Sequence, residues 1–321
     1  MILRLSLLAC IVAGLGLGLP DGYPSVPMRG TTGGNVAMPL VGLGTWQYNS
    51  TLAKLATETA FKLGYRHVDT ALGYKNQVGV GAALRELGLA RDEYFVTSKI
   101  PGGLNASATA LALSTGMQEL GLDYVDLMLV HFPASWEGKG GAALRKEQWL
   151  AMEAWAKTGK ARAIGVSHYC RSHVEDVLEV ATVPIALNQV MYHVGMGGSP
   201  DVATDYKAYM QSQGIVYMSF STLCGPCGPK DSKELISGPL VTEIGKAHNV
   251  SGAQVALRWA VQQGIPVIPK SSNAAHLASN FDLFSFKLTD GEMARLDAAK
   301  TPATGADVSG DCDVAESSLV I

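Results

Sequence analysis

Short apolar runs alternate with longer amphipathic runs along the chain from about residue 40 onward. The longer runs repeat their apolar residues at helical spacing, whereas the short runs have the length of strands. Such alternation is typical of βα units repeated around a parallel sheet. Eight units can be counted, and no composition break or linker divides them. This pattern constrains the fold more than any other feature of the sequence.

The predicted elements define one fold class. The predicted strands are 40–44, 67–69, 95–99, 125–131, 161–167, 185–190, 215–221 and 265–270. The predicted helices are 52–63, 77–87, 107–120, 147–158, 171–180, 202–213, 251–263 and 273–281, with 237–248 and 290–299 as extra helices. Eight consecutive units predict an α/β protein, a single closed (β/α)8 TIM barrel with extra helices and a C-terminal tail.

An open doubly wound sheet is the alternative arrangement, and it usually carries a Gly-rich fingerprint after its first strand. The nearest match here is "GVGAAL" at 79–84, which follows no strand and lies inside a helical pattern. We therefore interpret its glycines as sites of close helix packing.

Composition excludes some functions and bounds the size of the core. The chain has 321 residues, 47% of them hydrophobic, which is enough for one large core. With 25 Lys and Arg against 28 Asp and Glu, the net charge is −3. Because no basic excess is present, we expect no nucleic-acid partner. We expect a monomer.

The first residues have the layout of a targeting segment. Arg4 precedes an apolar run from Leu5 to Leu19, which is shorter than the roughly 20 residues that span a bilayer. We predict a signal or targeting segment at 1–19, the barrel domain at 20–321, and no stable membrane anchor. The expected location is the secretory pathway or an organelle, or the cytoplasm if the segment is not used.

Three polar residues end consecutive predicted strands. Asp69 ends the second, Lys99 the third and His131 the fourth, while Tyr74 lies in the loop after Asp69. In a barrel the carboxyl ends of the strands form the active-site face, so we expect these four side chains to lie close together.

The four residue types suit proton transfer. A buried Asp and Lys stabilise each other's charged forms, and an ammonium beside Tyr74 is expected to lower the pKa of its phenol. Tyr74 can then protonate the oxygen of a carbonyl while His131 orients that oxygen. Each residue alone has a plainer interpretation, as a helix cap, a packing ring or a structural histidine. Their joint placement favours the catalytic one.

Together with the motifs around them, these residues resemble the aldo-keto reductase family. The resemblance is carried by "MPLVGLGTW", "GYRHVDTALGYKNQ", "TSKI", "LGLDYVDLMLVHFP", "ARAIGVSHY" with "LNQV", and "VIPKSSNAAHLASNF", between residues 38 and 299. It implies a (β/α)8 barrel and reduction of aldehydes or ketones to alcohols by hydride transfer from NADPH. It also implies a catalytic tetrad of Asp69, Tyr74, Lys99 and His131, with Tyr74 as general acid.

The resemblance also implies where NADPH/NADP+ binds. At the adenosine phosphate, a cation and hydroxyl groups precede a helix N-terminus that can bind an anion, although a plain Ser N-cap is the alternative there. The residues implied at this end are Lys270, Ser271, Ser272, Asn273, His276 and Asn280. His276 stands where the family often has Arg, so NADH remains the alternative cofactor.

At the other end of the cofactor, polar strand ends meet the nicotinamide carboxamide, an aromatic ring stacks on its face, and further residues flank the ribose and pyrophosphate. The residues implied are Ser167, His168, Gln189, Phe220, Gly44, Thr45, Ser221 and Leu223. His168 and Phe220 depart from the family's usual Asn and Tyr, and we expect altered affinity with the geometry kept.

Substrate is less constrained by the sequence. Trp46, Phe132 and Trp136 are expected to line an apolar cavity above Tyr74, which suits a small carbonyl compound with a hydrophobic body. Each ring could equally pack in the core. The tail has no ligand spacing, and we predict no metal.

"TLCGPCG" at 222–228 contains a C-x-x-C spacing. Thiol-disulfide catalysis is disfavoured because the motif lies in a loop instead of at the start of a helix. A reversible Cys224–Cys227 disulfide that tunes the cofactor loop is a second interpretation, and two free cysteines is the one we favour.

A nicotinamide-binding redox-sensing or structural protein without turnover is the alternative to an enzyme. Loss of Tyr74 or Lys99 would favour it, and both residues are present. Catalysis is therefore the expected function.

Overall fold

The computed structural model describes residues 19–135, 138–196, 206–225, 227 and 229–300. Within them the strands form two sheets. An antiparallel hairpin joins β1 (Ser25–Arg29) and β2 (Asn35–Pro39). A parallel sheet has seven strands in chain order: β3 (Leu43–Gly44), β4 (His67–Asp69), β5 (Phe95–Ile100), β6 (Val125–Val130), β7 (Ala161–Ser167), β8 (Leu187–Met191) and β9 (Val216–Phe220).

Helices alternate with the parallel strands, as the sequence pattern predicts. They are α1 (Ser50–Lys62), α2 (Gln77–Leu87), α3 (Ala106–Leu120), α4 (Ala142–Trp155), α5 (Arg171–Leu178), α6 (Tyr206–Ser212), α7 (Pro229–Ser237), α8 (Pro239–His248), α9 (Gly252–Gln262), α10 (Ala274–Phe281) and α11 (Asp290–Asp297). None of the helices in the described ranges is long and apolar enough to cross a membrane.

The eighth predicted strand differs from the prediction. Residues 265–270 form no regular strand, but Val267 makes a single parallel bridge to Val41 at one edge of the curled sheet and another to Ser219 at the other. Pro266 and Pro269 have no backbone N–H, which removes the donors that a full ladder needs. The structure therefore shows seven regular strands, with this segment hydrogen-bonded to both edges, instead of eight regular strands.

Two elements escape the sequence analysis. The hairpin β1–β2 buries Met28, Val36 and Met38 against the inward face of the sheet, including Phe95 and Leu187. Its alternating apolar residues around a Gly-containing turn are the signal that could have identified it. The second element is α7, an additional helix ahead of α8.

The glycines at 79 and 81 confirm the interpretation of close helix packing. A Cβ built on Gly79 would lie 1.9 Å from the carbonyl oxygen of Ser50, and one on Gly81 would lie 2.0 Å from that of Leu120. Real Cβ atoms do not approach backbone so closely, because dense interiors leave no room for an added methyl. These glycines let α2 pack directly on its neighbours.

Replacing Gly79 by alanine is expected to lower the free energy of unfolding by about 3 kcal/mol, since the helices must separate. Gly291 in α11 is the matched control, because a Cβ there meets no atom within 4 Å. Gly291→Ala should instead raise the free energy of unfolding by roughly 0.5 kcal/mol through helix propensity. Urea denaturation measures both. Equal effects of the two substitutions would contradict the packing argument.

Candidate active site

The parallel strands bring the four predicted side chains to one edge of the sheet. Asp69 is the last residue of β4, and Lys99 lies near the end of the neighbouring β5. His131 follows β6, and its backbone N–H donates to Ile100 at 2.9 Å. Tyr74 ends a 3-10 turn three residues long that begins shortly after β4.

A buried ammonium lies at the centre of this group. Lys99 is fully buried, and its Nζ donates to a carboxylate oxygen of Asp69, to the carbonyl of Thr70 at 3.1 Å and to the hydroxyl of Tyr74 at 3.4 Å. The second oxygen of Asp69 accepts from Nε2 of Gln189 at 2.8 Å. Every donor of the ammonium thus has a partner, which is what allows a charge to remain buried.

Burial and the neighbouring groups have opposite effects on the pKa of Lys99. Burial disfavours the ammonium of Lys99, but Asp69 and Tyr74 beside it outweigh that effect, and the pKa of Lys99 is raised. Burial also raises the pKa of Asp69, against the opposing effects of Lys99 and Gln189, which by itself favours a neutral carboxyl. We describe the pair as an ion pair because the ammonium contacts one carboxylate oxygen directly and the amide of Gln189 donates to the other.

The prediction that the pKa of Tyr74 is lowered is wrong. Burial raises the pKa of Tyr74 above its usual value of about 10, and the opposing effect of Lys99 is smaller. The ammonium of Lys99 alone would lower this pKa, but the cost of burying a phenolate is larger. A raised pKa keeps the phenol protonated at neutral pH, which is the form that can donate a proton.

His131 is a neutral imidazole next to this phenol. Burial, followed by the charge of Lys99 and by His168, lowers the pKa of His131 well below its usual range. Its ring meets the ring of Tyr74 edge to face, with centroids 5.5 Å apart. A neutral ring keeps one N–H that can be donated without a charge to desolvate.

An aromatic stack continues from His131. Phe132 lies between His131 and His168, with centroids 4.5 Å and 4.3 Å away, and Phe220 lies 4.6 Å beyond His168. Burial lowers the pKa of His168 to about 4, against the hydrogen bond to the backbone of His131 and together with the charge of Lys99. The stack therefore consists of uncharged rings that fix one another's orientation.

Residues expected at the nicotinamide end also lie at strand ends. Ser167 ends β7, and its hydroxyl donates to the carbonyl of Gln189 at 2.8 Å. Gln189 connects this group to the proton-transfer group, because its amide donates to Asp69. Thr45 does the same from the other side, since its hydroxyl donates to the carbonyl of Asp69 at 2.9 Å. Gly44 ends β3, close to the backbone of Ile268.

The expected phosphate end lies at the start of α10. The N-cap there is Asn273, whose side chain accepts from the backbone N–H groups of Ala275 at 2.8 Å and His276 at 3.2 Å. The cap is thus Asn instead of the Ser weighed in the sequence analysis, and Ser271 accepts from the N–H of Asn273 at 3.1 Å. Ser272 and His276 are exposed, and Asn280 is buried.

The ammonium of Lys270 contacts the loop after β3. It donates to the side chain of Gln47 at 2.9 Å and lies 5.7 Å from the ring of Trp46 and 5.3 Å from that of Tyr48. Lys270 therefore joins the segment after Val267 to the loop after β3.

The three aromatic residues expected around a substrate have different settings. Trp46 is 37% exposed, whereas Phe132 is 3% exposed and packed within the aromatic stack. Trp136 lies outside the described residues. Of the two described residues in this set, Trp46 is therefore the exposed one.

Cys224 and Cys227 form a disulfide, so the favoured interpretation of two free cysteines is wrong. Ser221, an expected pyrophosphate contact, begins the same turn, and its carbonyl accepts from the N–H groups of Cys224 and Gly225. Leu223 lies within it and is half-buried. Both Ser221 and Cys227 have left-handed backbone conformations, with φ of 55° and 63°.

Several residues around this group escape the sequence analysis. Thr70, Asn76 and Gln77 are fully buried polar residues next to the Tyr74 turn, and Gln77 accepts a hydrogen bond from Ser98. The signal is the run "KNQ" directly after Tyr74, which resembles an ordinary helix start. In the described parts of the chain, no group of three or more His, Cys, Asp or Glu residues could hold a metal ion.

Comparison with known proteins adds to this geometry. Residues 40–301 match the model of the aldo/keto reductase family. The chain is 37% identical to glyoxal reductase of Bacillus subtilis over 82% of this chain and 89% of that protein. It is 35% identical to morphine 6-dehydrogenase of Pseudomonas putida over 83% of this chain and 89% of that protein.

Solved structures agree. An aldo-keto reductase from a Medee basin deep-sea metagenome library superimposes with a TM-score of 0.75 at 32% identity, covering 83% of this chain and 93% of that one. An aldo/keto reductase from Brucella melitensis gives 0.74 at 30% identity, covering 85% and 98%.

Proposed function

The chain belongs to the aldo/keto reductase family, and on that premise we propose that it reduces aldehydes or ketones to alcohols with NADPH. The observation that carries the proposal is the buried Lys99, which donates to both Asp69 and Tyr74. The names of two relatives, a glyoxal reductase and a morphine 6-dehydrogenase, agree with redox chemistry on small molecules.

The residues perform the reaction as follows. The neutral ring of His131 donates a hydrogen bond to the carbonyl oxygen and fixes its position beside Tyr74. Tyr74 gives its phenolic proton to that oxygen as the carbonyl carbon gains a hydride. Lys99 stabilises the phenolate that remains, and Asp69 keeps Lys99 in place and charged.

When bound, NADPH supplies the hydride. The donor set fits such a molecule, because Ser271 and Ser272 precede the N-terminus of α10 at one end, and Lys270 supplies a positive charge beside the loop after β3. At the other end, Ser167, His168 and Gln189 offer polar groups beside the ring of Phe220. Thr45, Ser221 and Leu223 are proposed to flank the ribose and pyrophosphate between these two ends.

We further propose that the curled sheet and the segment around Val267 make up the eight-stranded barrel of the family. The bridges from Val267 to both edges support this, as do the solved aldo-keto reductases that superimpose on the chain. The carboxyl ends of the strands would then surround the proposed site.

The test is NADPH oxidation with a panel of aliphatic and aromatic aldehydes. It uses the protein without residues 1–19 and its Tyr74→Phe variant, which keeps the ring and removes only the proton. Turnover should fall by roughly 10²- to 10⁴-fold in the variant, the range for loss of a general acid. If NADPH quenches tryptophan fluorescence but no aldehyde is reduced by the parent, the redox-sensing or structural alternative replaces this proposal.

The Cys224–Cys227 disulfide makes a separate prediction about cofactor affinity. Reduction by dithiothreitol frees the turn that begins at Ser221, so binding must then order it. About 1 kcal/mol of ordering corresponds to roughly fivefold weaker NADPH binding, measured by fluorescence titration. The Cys224→Ser/Cys227→Ser variant should bind NADPH as weakly as the reduced protein does, and dithiothreitol should not change its affinity. Unchanged affinity and kinetics on reduction would end the idea of a disulfide that tunes the loop.

A further inference from the structure

Asn76 occupies the N-cap position of α2, but its side chain does not cap the helix. Asn is among the residues that serve best as N-caps, because its oxygen can accept from the free N–H groups of the first turn. Asn49, Asn105 and Asn273 do so for α1, α3 and α10. The different behaviour of Asn76 shows that its amide is engaged elsewhere.

The amide of Asn76 is fully buried and hydrogen-bonded on both sides. Its Nδ2 donates to the carbonyl of Thr45 at 2.8 Å and to that of Tyr48 at 3.0 Å, and its Oδ1 accepts from the hydroxyl of Thr70 at 2.8 Å. Both N–H groups of the amide therefore have acceptors, and the carbonyl has a donor.

These bonds join the parts of the proposed site. Thr70 follows Asp69, and its carbonyl accepts from the ammonium of Lys99. Thr45 and Tyr48 bound the loop that carries the half-exposed Trp46. Asn76 itself follows Tyr74 by two residues, across the left-handed Lys75. The amide of Asn76 thus connects the turn that contains Tyr74 with two other parts of the site. These are Thr70, which contacts Lys99, and the loop 45–48, which carries Trp46.

We infer that Asn76 is a positioning residue that sets the distance between the proton donor Tyr74 and the substrate-facing loop of Trp46. This inference rests on the proposed reductase function. A rigid link of this kind keeps the carbonyl oxygen within reach of the phenol while the body of the substrate rests on the loop. Small displacements of a reacting group are costly in rate, so a side chain that touches neither substrate nor cofactor acts on turnover.

Two substitutions test the role of the amide. Asn76→Asp keeps the shape and the acceptor for Thr70, but it places an oxygen against the carbonyls of Thr45 and Tyr48. Asn76→Ala removes all three bonds. In both variants kcat for aldehyde reduction should fall by about 10- to 100-fold, a larger change than the weakening of NADPH binding that follows from freeing Thr45. Amide hydrogen exchange in residues 45–48 should become faster.

Asn105→Ala is the matched control, because Asn105 caps α3 through the N–H of Ala108 and has no part in the site. It should lower Tm through loss of a cap and leave kcat unchanged. If Asn76→Ala lowers Tm while kcat and exchange at 45–48 match those of the control, its role is only structural and the inference is wrong.

Introducing Asn76→Ala into the Tyr74→Phe variant distinguishes failure of this inference from failure of the proposed function. If Asn76 acts through Tyr74, Asn76→Ala should lower kcat no further once the phenol is gone. An equal additional loss would overturn the inference. Full activity of Tyr74→Phe itself would instead overturn the proposed function, and it is read from a different variant.

Discussion

Replacing Lys99 by methionine is expected to abolish aldehyde reduction, with kcat/KM at least roughly 10³-fold lower. Methionine fills the buried volume but removes the charge that would stabilise the phenolate of Tyr74. It also removes the ammonium that donates to one oxygen of Asp69, leaving a buried carboxylate with the amide of Gln189 at its other oxygen. Breaking a buried ion pair from one side costs about 3 to 5 kcal/mol, so stability should fall together with activity.

A double variant separates these two effects. Asp69→Asn combined with Lys99→Met removes both charges, so most of the lost stability should return while activity stays absent. Steady-state NADPH oxidation and urea denaturation of the three proteins make the comparison. If Lys99→Met retains activity within tenfold of the parent, the ammonium has no direct part in proton transfer.

The positions of Asp69, Lys99 and His131 could be predicted because the physics of a parallel sheet decides them. Residues that end neighbouring parallel strands must reach the same edge, whatever the side chains around them are. Asn76 could not be predicted in the same way. A polar residue before a helical run is ordinarily a cap, and only the packing of the loop after β3 against the Tyr74 turn reveals the different role of its amide.

Other predictions are wrong because they depend on opposing effects in the folded chain, which the spacing of residues along the sequence does not show. The pKa of Tyr74 depends on burial against the charge of Lys99, and the extent of burial is a property of the folded chain. The segment around Val267 has the apolar pattern of a strand, but Pro266 and Pro269 limit its hydrogen bonds. The disulfide between Cys224 and Cys227 depends on how the turn after Ser221 folds back.

Mild acid is expected to destabilise the protein strongly. His67 is fully buried, and burial with the charge of Lys99 lowers its pKa to about 3, while the pKa of His168 is lowered to about 4. Above pH 6.5 both rings are neutral in the folded and unfolded chains and contribute nothing. As pH falls below 6.5, the unfolded chain binds a proton at each ring and the folded chain does not, so stability is lost.

Between pH 7 and pH 5 this difference amounts to about 2 kcal/mol for each ring, or about 4 kcal/mol for the two. That is a large share of the 5 to 15 kcal/mol by which proteins of this kind are stable. His131, whose pKa burial also lowers well below its usual range, adds a third ring of the same kind. Urea denaturation at pH 7, 6 and 5 should therefore measure a loss approaching three protons per molecule. His67→Gln, whose amide can still bond the hydroxyl of Thr97, should reduce that loss by one proton. Adding His168→Asn should remove one more proton, because the pH dependence of the free energy of unfolding is set by how many rings the fold keeps neutral. If this pH dependence is unchanged in both variants, other groups cause the acid sensitivity.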